Sequence, residues 1–195
     1  MLTLFYGLVL FLGVHLLQVL APGWRERRRA QWGALTYKGI YSVVSLLGFV
    51  LLVHGYGLAR AEPVPLWQPP RGLMHLAWLL MWLAMVLMVA AYFPRNGIRR
   101  RLGHPMTLSV KVWAFSHLLV NGNLADVLLF GSFLVWAVLV FRSARRRPVS
   151  DAAQAPASTL ATLLTVLLGS ALWALFLWGG WHAQWIGVDP LGAAG

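Results

Sequence analysis

Long apolar blocks decide what this chain can fold into. Residues 2–20, 39–59, 72–93, 124–141 and 159–181 each approach or exceed the ~18–20 residues that carry a helix across a hydrocarbon core of about 30 Å. A soluble core cannot absorb them, because 59% of the 195 residues are hydrophobic and only 11% are charged, with a mean hydropathy of +0.70. In lipid every backbone polar group must be paired within the chain, which leaves helices as the spanning element. The expected fold is therefore all-α, a polytopic membrane helical bundle of about six transmembrane helices. Residues 106–120 form a shorter, more polar block that makes a crossing only by packing inside the bundle. Tryptophans such as Trp24, Trp32, Trp67, Trp178, Trp181 and Trp185 fall near block ends, where interfacial belts form.

The net charge of +11 could suggest a nucleic-acid partner, but its placement argues against one. Arg25, Arg27, Arg28, Arg29 and Lys38 lie between the first two blocks. Arg95, Arg99, Arg100 and Arg101 follow the third block, and Arg142, Arg145, Arg146 and Arg147 follow residue 141. Basic residues thus concentrate in alternate connections, the pattern of cytoplasmic loops, where they meet anionic lipid headgroups rather than nucleic acid. Counting from these loops gives six crossings, with both termini outside.

Residues 1–13 lack the basic start of a cleavable signal, and the first block ends in Ala21-Pro22-Gly23 followed by arginines, as a retained anchor does. The organisation that follows is a transmembrane domain over 1–148, a small polar linker over 149–158, and a C-terminal helix and tail over 159–195, with that last helix at the periphery. Pro63, Pro65, Pro69 and Pro70 make the second connection an extended external loop.

No cysteine is present, so disulfides, thiolate metal sites and cysteine nucleophiles are excluded. Of the five carboxylates only Asp126 sits near the polar stretch around residues 104–126, so a di-iron centre or a carboxylate dyad lacks ligands, and no Walker, Rossmann or GxSxG pattern occurs. Chemistry is left to the histidines. His15 interrupts an apolar block on its inner half and needs a partner at that depth, while His104 stands at the inner end of the short fourth block. His54, His75, His117 and His182 fall toward the outer side. Thirteen residues of helix separate His104 from His117 by about 20 Å, too far to share a metal, whereas imidazoles from facing helices can share one.

The stretch around residues 104–126 adds Lys111, Asn121, Asn123 and Asp126 to otherwise lipid-compatible sequence, and polar groups at membrane depth mark sites. Trp113 and His117 share a helical face, so the indole can shield the imidazole. Asn121-Gly122-Asn123 suits a tight interhelical turn, with Asn123 capping the next helix. Asp126 sits in the first turn of that helix, where the dipole favours its charge and where it can orient His117. Tyr37, Tyr41 and Tyr56 read as aromatic packing.

Three segments carry a family resemblance: GVHLLQVLAPGWRERR (13–28), YKGIYSVVSLLGFVLLVHGYGLAR (37–60) and HPMTLSVKVWAFSHLLVNGNLADVLLFGSFLVWAV (104–138). Together they resemble the NnrU family of bacterial membrane proteins, associated with denitrification and nitric oxide metabolism. That family is related to 15-cis-zeta-carotene isomerase, a haem b enzyme. The resemblance implies haem b held by histidines matching His15 and His104, with Trp113 and Asn123 beside the cofactor. His117, Asp126 and Asn121 are then the candidate catalytic residues, acting on a small apolar or gaseous substrate. The His-Pro segment and asparagine-ended hairpin also resemble the isoprenylcysteine carboxyl methyltransferase superfamily, which uses S-adenosylmethionine. Gly103 stands where that superfamily has arginine, and its acidic pair is replaced by Phe141-Arg142-Ser143-Ala144-Arg145. A haem protein, a methyltransferase-like enzyme and a non-catalytic assembly or sensing factor are the readings left.

Overall fold

The computed structural model describes residues 1–146 and 156–192. The expected linker over 149–158 falls outside the described residues as far as position 155. Regular structure among the described residues is helical, apart from one isolated antiparallel bridge between Pro65 and Asn123. Among the described residues, five helices are long and apolar enough to cross a membrane: α1 (Leu2–Leu20), α3 (Ala34–Ala61), α4 (Leu73–Tyr92), α7 (Leu124–Ala144) and α8 (Thr159–Leu177). The other elements among the described residues are α2 (Pro22–Trp32), α5 (Gly97–Leu102), α6 (Pro105–Val120) and α9 (Trp181–Ile186). This is a multi-pass membrane helical bundle. At 16 residues α6 spans only about 24 Å, short of the hydrocarbon core.

The helices form two compact units, the first comprising residues 1–68 and 121–140, the second residues 69–120 and 141–195. In the first, α1 and α3 run antiparallel in direct backbone contact. A Cβ on Gly7 would strike the Leu52 backbone, one on Gly55 the Leu4 backbone, and one on Gly48 would stand 2.7 Å from the Phe11 amide nitrogen. Apolar tails solvate leucine as well as protein does, so close van der Waals fit replaces the hydrophobic effect as the force joining helices in lipid, and glycines permit the closest fit. Leu4, Leu8 and Leu12 fill the same seam.

The sequence places residues 24–38 in a loop, whereas the structure continues helix through most of it. Pro22 occupies the first turn of α2, where its missing N–H costs nothing, and Gly33, at φ 81°, separates α2 from α3. No residue of α2 is buried. Its Arg28 guanidinium lies 5.8 Å from the Trp24 ring centre and 5.4 Å from that of Trp32, one helical turn to either side.

In the second unit α4 is the central post. Along one side α6 runs antiparallel to it, with the Ser109 hydroxyl donating to the Ala84 carbonyl (2.7 Å) and Ser116 to that of Ala77 (2.9 Å). Such serine-to-backbone bonds join helices at little cost in bulk. Against α4 also lies α8, where the Trp82 indole donates to Ser170 (2.8 Å) and Trp173 to the Trp78 carbonyl (3.0 Å). Gly169 brings the two backbones together at Val86. Only Thr165, Gly169 and Leu177 of α8 are buried, so this helix is held along one face, with Leu160, Leu163, Leu167 and Leu175 outward. Asn96 is buried in the turn after α4, donating to the Ala90 and Phe93 carbonyls and capping α5 by accepting from the Arg99 amide.

Candidate functional site

His15 lies in the first unit, half-buried on α1. Its Nδ1 stands 2.6 Å from the Phe11 carbonyl oxygen. A carbonyl only accepts, so Nδ1 carries the proton, which leaves Nε2 as the nitrogen able to offer a lone pair. The imidazole is walled by aromatic rings: Phe11 at 4.4 Å between centres, Tyr41 edge-on at 5.4 Å and Trp136 edge-on at 6.3 Å. Phe133 stands beside both Phe11 and Trp136. The Trp136 indole nitrogen is buried with no hydrogen-bond acceptor, which leaves one donor unspent in this aromatic setting.

Also in the first unit, Asp126 is 3% exposed on the first turn of α7. Its Oδ1 accepts from the Tyr56 hydroxyl at 2.6 Å, and its Oδ2 accepts from the Asn123 backbone N–H (3.3 Å) and side-chain amide (3.2 Å). Asn123 does cap α7, but the direction differs from the sequence expectation. The carboxylate three residues on reaches back to the cap N–H, as in a capping box, and the Asn123 amide serves as donor because a carboxylate is the stronger acceptor. The Arg60 guanidinium covers the Tyr56 ring at 5.7 Å. The proline-rich segment is strapped to the same turn, with Leu66 and Trp67 donating to the Gly122 carbonyl and Leu124 to that of Val64. Asn121 is half-buried at the start of this turn.

The second unit holds the other candidates. His104 precedes Pro105, the first residue of α6, and its carbonyl accepts from the Leu108 amide (3.3 Å) and the Thr107 hydroxyl (3.1 Å). Its ring meets that of Phe141 edge-on at 6.3 Å, and the Lys111 ammonium lies 4.0 Å from the same ring centre, a close cation–π contact. His117 Nδ1 is 2.9 Å from the Trp113 carbonyl, and the Trp113 ring packs on the imidazole at 5.2 Å, as their spacing suggests. His182, on α9, faces His117 at 6.4 Å between ring centres and an interplanar angle of 21°. His54 and His75 are exposed.

The structure thus joins Asn123 with Asp126 and Trp113 with His117, and it puts His15 and His104 in different units. Sequence reasoning missed Tyr56 as the partner of Asp126 and His182 as the neighbour of His117. The first had a signal: a lone carboxylate in an apolar stretch needs donors, and Tyr56 stands four residues before Arg60 at the end of an apolar block. His182 had none, since 65 residues separate it from His117.

A family model described as "NnrU protein" matches residues 3–190. No curated protein and no solved structure is detectably similar to the chain.

Proposed function

Because this chain belongs to the NnrU family, we propose that it is a haem b-binding membrane protein of redox or isomerase type, with His15 as an iron ligand. It serves denitrification and nitric oxide metabolism, or the cis–trans isomerisation of an apolar polyene. The observation that carries this reading is the fixed tautomer of His15. Haem-ligating histidines present one nitrogen to iron and anchor the other N–H on a backbone carbonyl or carboxylate, and His15 is anchored on Phe11 in that way. Bound haem would supply an iron able to take a small gaseous ligand or exchange one electron. The protein's own part is to hold the imidazole rigid through Phe11, and to keep water from it with Tyr41 and Trp136. His104, from the His-Pro motif, is the second candidate ligand.

Detergent-purified protein from haem-replete cells should show a Soret band, with split visible bands on reduction. His15→Gln should lower haem occupancy about tenfold or more while the protein still elutes as a folded species. His104→Gln tests the second ligand in the same measurement. A wild-type protein without a Soret band, or a His15→Gln variant with full occupancy, would overturn the assignment.

The same reading places the chain in the bacterial inner membrane, with the basic connections in the cytoplasm, held against anionic lipid. The chain has no cysteine of its own, so single cysteines report cleanly. Glu62→Cys and Asp189→Cys should label with an impermeant maleimide in intact cells, and Arg100→Cys should not. Labelling at position 62 without labelling at 189 would mean that α6 does not cross, since α4, α7 and α8 alone make an odd number of crossings between the two positions.

A further inference from the structure

We propose that Lys111 stands at a binding site for the phosphate of one anionic phospholipid, at the basic end of α6. The site deepens the reading of the basic connections as held against anionic lipid, and rests on it: a general attraction becomes one place with a lysine inside the helical span. Lys111 has no part in the haem reading.

Lys111 is half-buried on α6, two helical turns beyond His104. At about 1.5 Å per residue, their Cα atoms stand roughly 10 Å apart along the helix. Both side chains nevertheless reach one ring: the His104 imidazole meets Phe141 edge-on at 6.3 Å, and the Lys111 ammonium lies 4.0 Å from the Phe141 ring centre. Side chains on a helix tilt toward its N-terminus, so the lysine leans back along α6 and carries its charge toward the basic end. Arg99, Arg100 and Arg101 on α5 precede His104 there, and Arg142 and Arg145 follow Phe141. Of these, Arg100, Arg101, Arg142 and Arg145 are exposed, and all belong to the second unit.

The counter-ion must come from outside the protein. Of the five carboxylates in the chain, Glu26, Glu62 and Asp126 belong to the first unit, and Asp151 lies outside the described residues. Asp189 accepts from the Leu191 amide (2.9 Å), beyond α9. Among the described residues none pairs with Lys111. The face of Phe141 attracts the ammonium but carries no net charge to neutralise it. A charge at membrane depth is costly until an opposite one meets it. The neighbours then choose the anion. One turn further into α6, on the face of Lys111, Phe115 is 47% exposed, an apolar surface beside the charge. A ligand that follows both must carry an anionic group at Lys111 and an apolar chain along Phe115, which describes a phospholipid. Basic pockets among spanning helices on the cytoplasmic side bind anionic headgroups in this way. A phosphatidylcholine phosphate fits less well, because its own cationic headgroup already offsets its charge.

The test is native mass spectrometry of the detergent-purified full chain, stripped of cellular lipid and titrated with dioleoylphosphatidylglycerol or dioleoylphosphatidylcholine. The wild type should take up one phosphatidylglycerol about tenfold more tightly than phosphatidylcholine. Lys111→Met should weaken phosphatidylglycerol binding about tenfold, the loss of one charge-assisted bond. Lys111→Arg should keep it, since a guanidinium also serves phosphate. Lys38→Met removes an exposed lysine of the first unit and should change nothing, which separates the site from attraction to net charge. Methionine suits a spanning helix, so Lys111→Met retains the bundle, and size-exclusion elution checks this. Equal binding of the two lipids by the wild type, unchanged binding in Lys111→Met, or an equal loss in Lys38→Met would each overturn the proposal. So would displacement of phosphatidylglycerol by millimolar inorganic phosphate, which would assign the site to a soluble phosphate compound. Neither the Soret band nor the side on which position 100 labels enters this measurement. Lipid uptake without a Soret band strikes the haem reading alone, and a Soret band without selective uptake strikes this site alone.

Discussion

Gly55→Leu should uncouple α1 from α3. The new side chain would begin inside the backbone of Thr3 and Leu4, which cannot swing aside as a side-chain tip can. Leucine improves helix propensity by roughly 0.7–1 kcal/mol over glycine. Overpacking against fixed backbone costs about 3 kcal/mol, so the clash wins. Gly7→Leu, which meets the Leu52 backbone, should behave alike. The control lies on the same helix. A Cβ on Gly57 meets nothing within 4 Å, so Gly57→Ala should be neutral or stabilise by about 0.5–1 kcal/mol. Unfolding of the purified protein by a denaturing detergent would measure all three. If Gly55→Leu and Gly57→Ala unfold at the same detergent fraction, glycine contact does not hold the helix pair.

The second large effect is expected at Asp126. Removing its carboxylate in Asp126→Ala strands the Tyr56 hydroxyl and two donors of Asn123, all part-buried, at a cost of about 2–4 kcal/mol. Tyr56→Phe removes one bond to the carboxylate and should cost about 1.5–3 kcal/mol. Most of that penalty should vanish when Asp126 is already alanine, because the hydroxyl then has nothing to lose. A double-mutant cycle would therefore show a coupling of about 1.5 kcal/mol or more, and strictly additive losses would mean that the two groups stabilise the protein independently.

Apolar runs made the crossings legible, because the length of a spanning helix is set by the bilayer and not by tertiary detail. Their edges were harder to see. The helix over 22–32 follows from Pro22 and a run of good helix formers, but arginine density makes the same residues read as a loop. What joins the helices was hidden. Gly7, Gly48 and Gly55 are unremarkable among 19 glycines until the antiparallel register brings them to one seam. At the candidate site, Trp113 with His117 came through, because they lie within one helical turn where spacing decides the contact, whereas Asn123 was legible as a cap of α7 but not as a donor to Asp126. Tyr56 with Asp126 and His117 with His182 are set by packing between distant segments, which no single-sequence pattern encodes. The tautomer of His15 is likewise set by the fold, since it depends on a rotamer that brings Nδ1 to the Phe11 carbonyl.

The bond between Tyr56 and Asp126 has a consequence for the order of biosynthesis. Its partners are 70 residues apart, and α4, α5 and α6 are made between them. At roughly 5–20 residues per second, the ribosome needs about 4–14 s to deliver the carboxylate after the phenol. Throughout that interval the hairpin of α1 and α3 is already whole, with its glycines in contact, while Tyr56 and the strap over residues 64–67 wait for an acceptor that has not been synthesised. The first unit is therefore assembled in two instalments: a hairpin that closes early on backbone contact, and a late segment of α7 that returns to it and satisfies its polar groups.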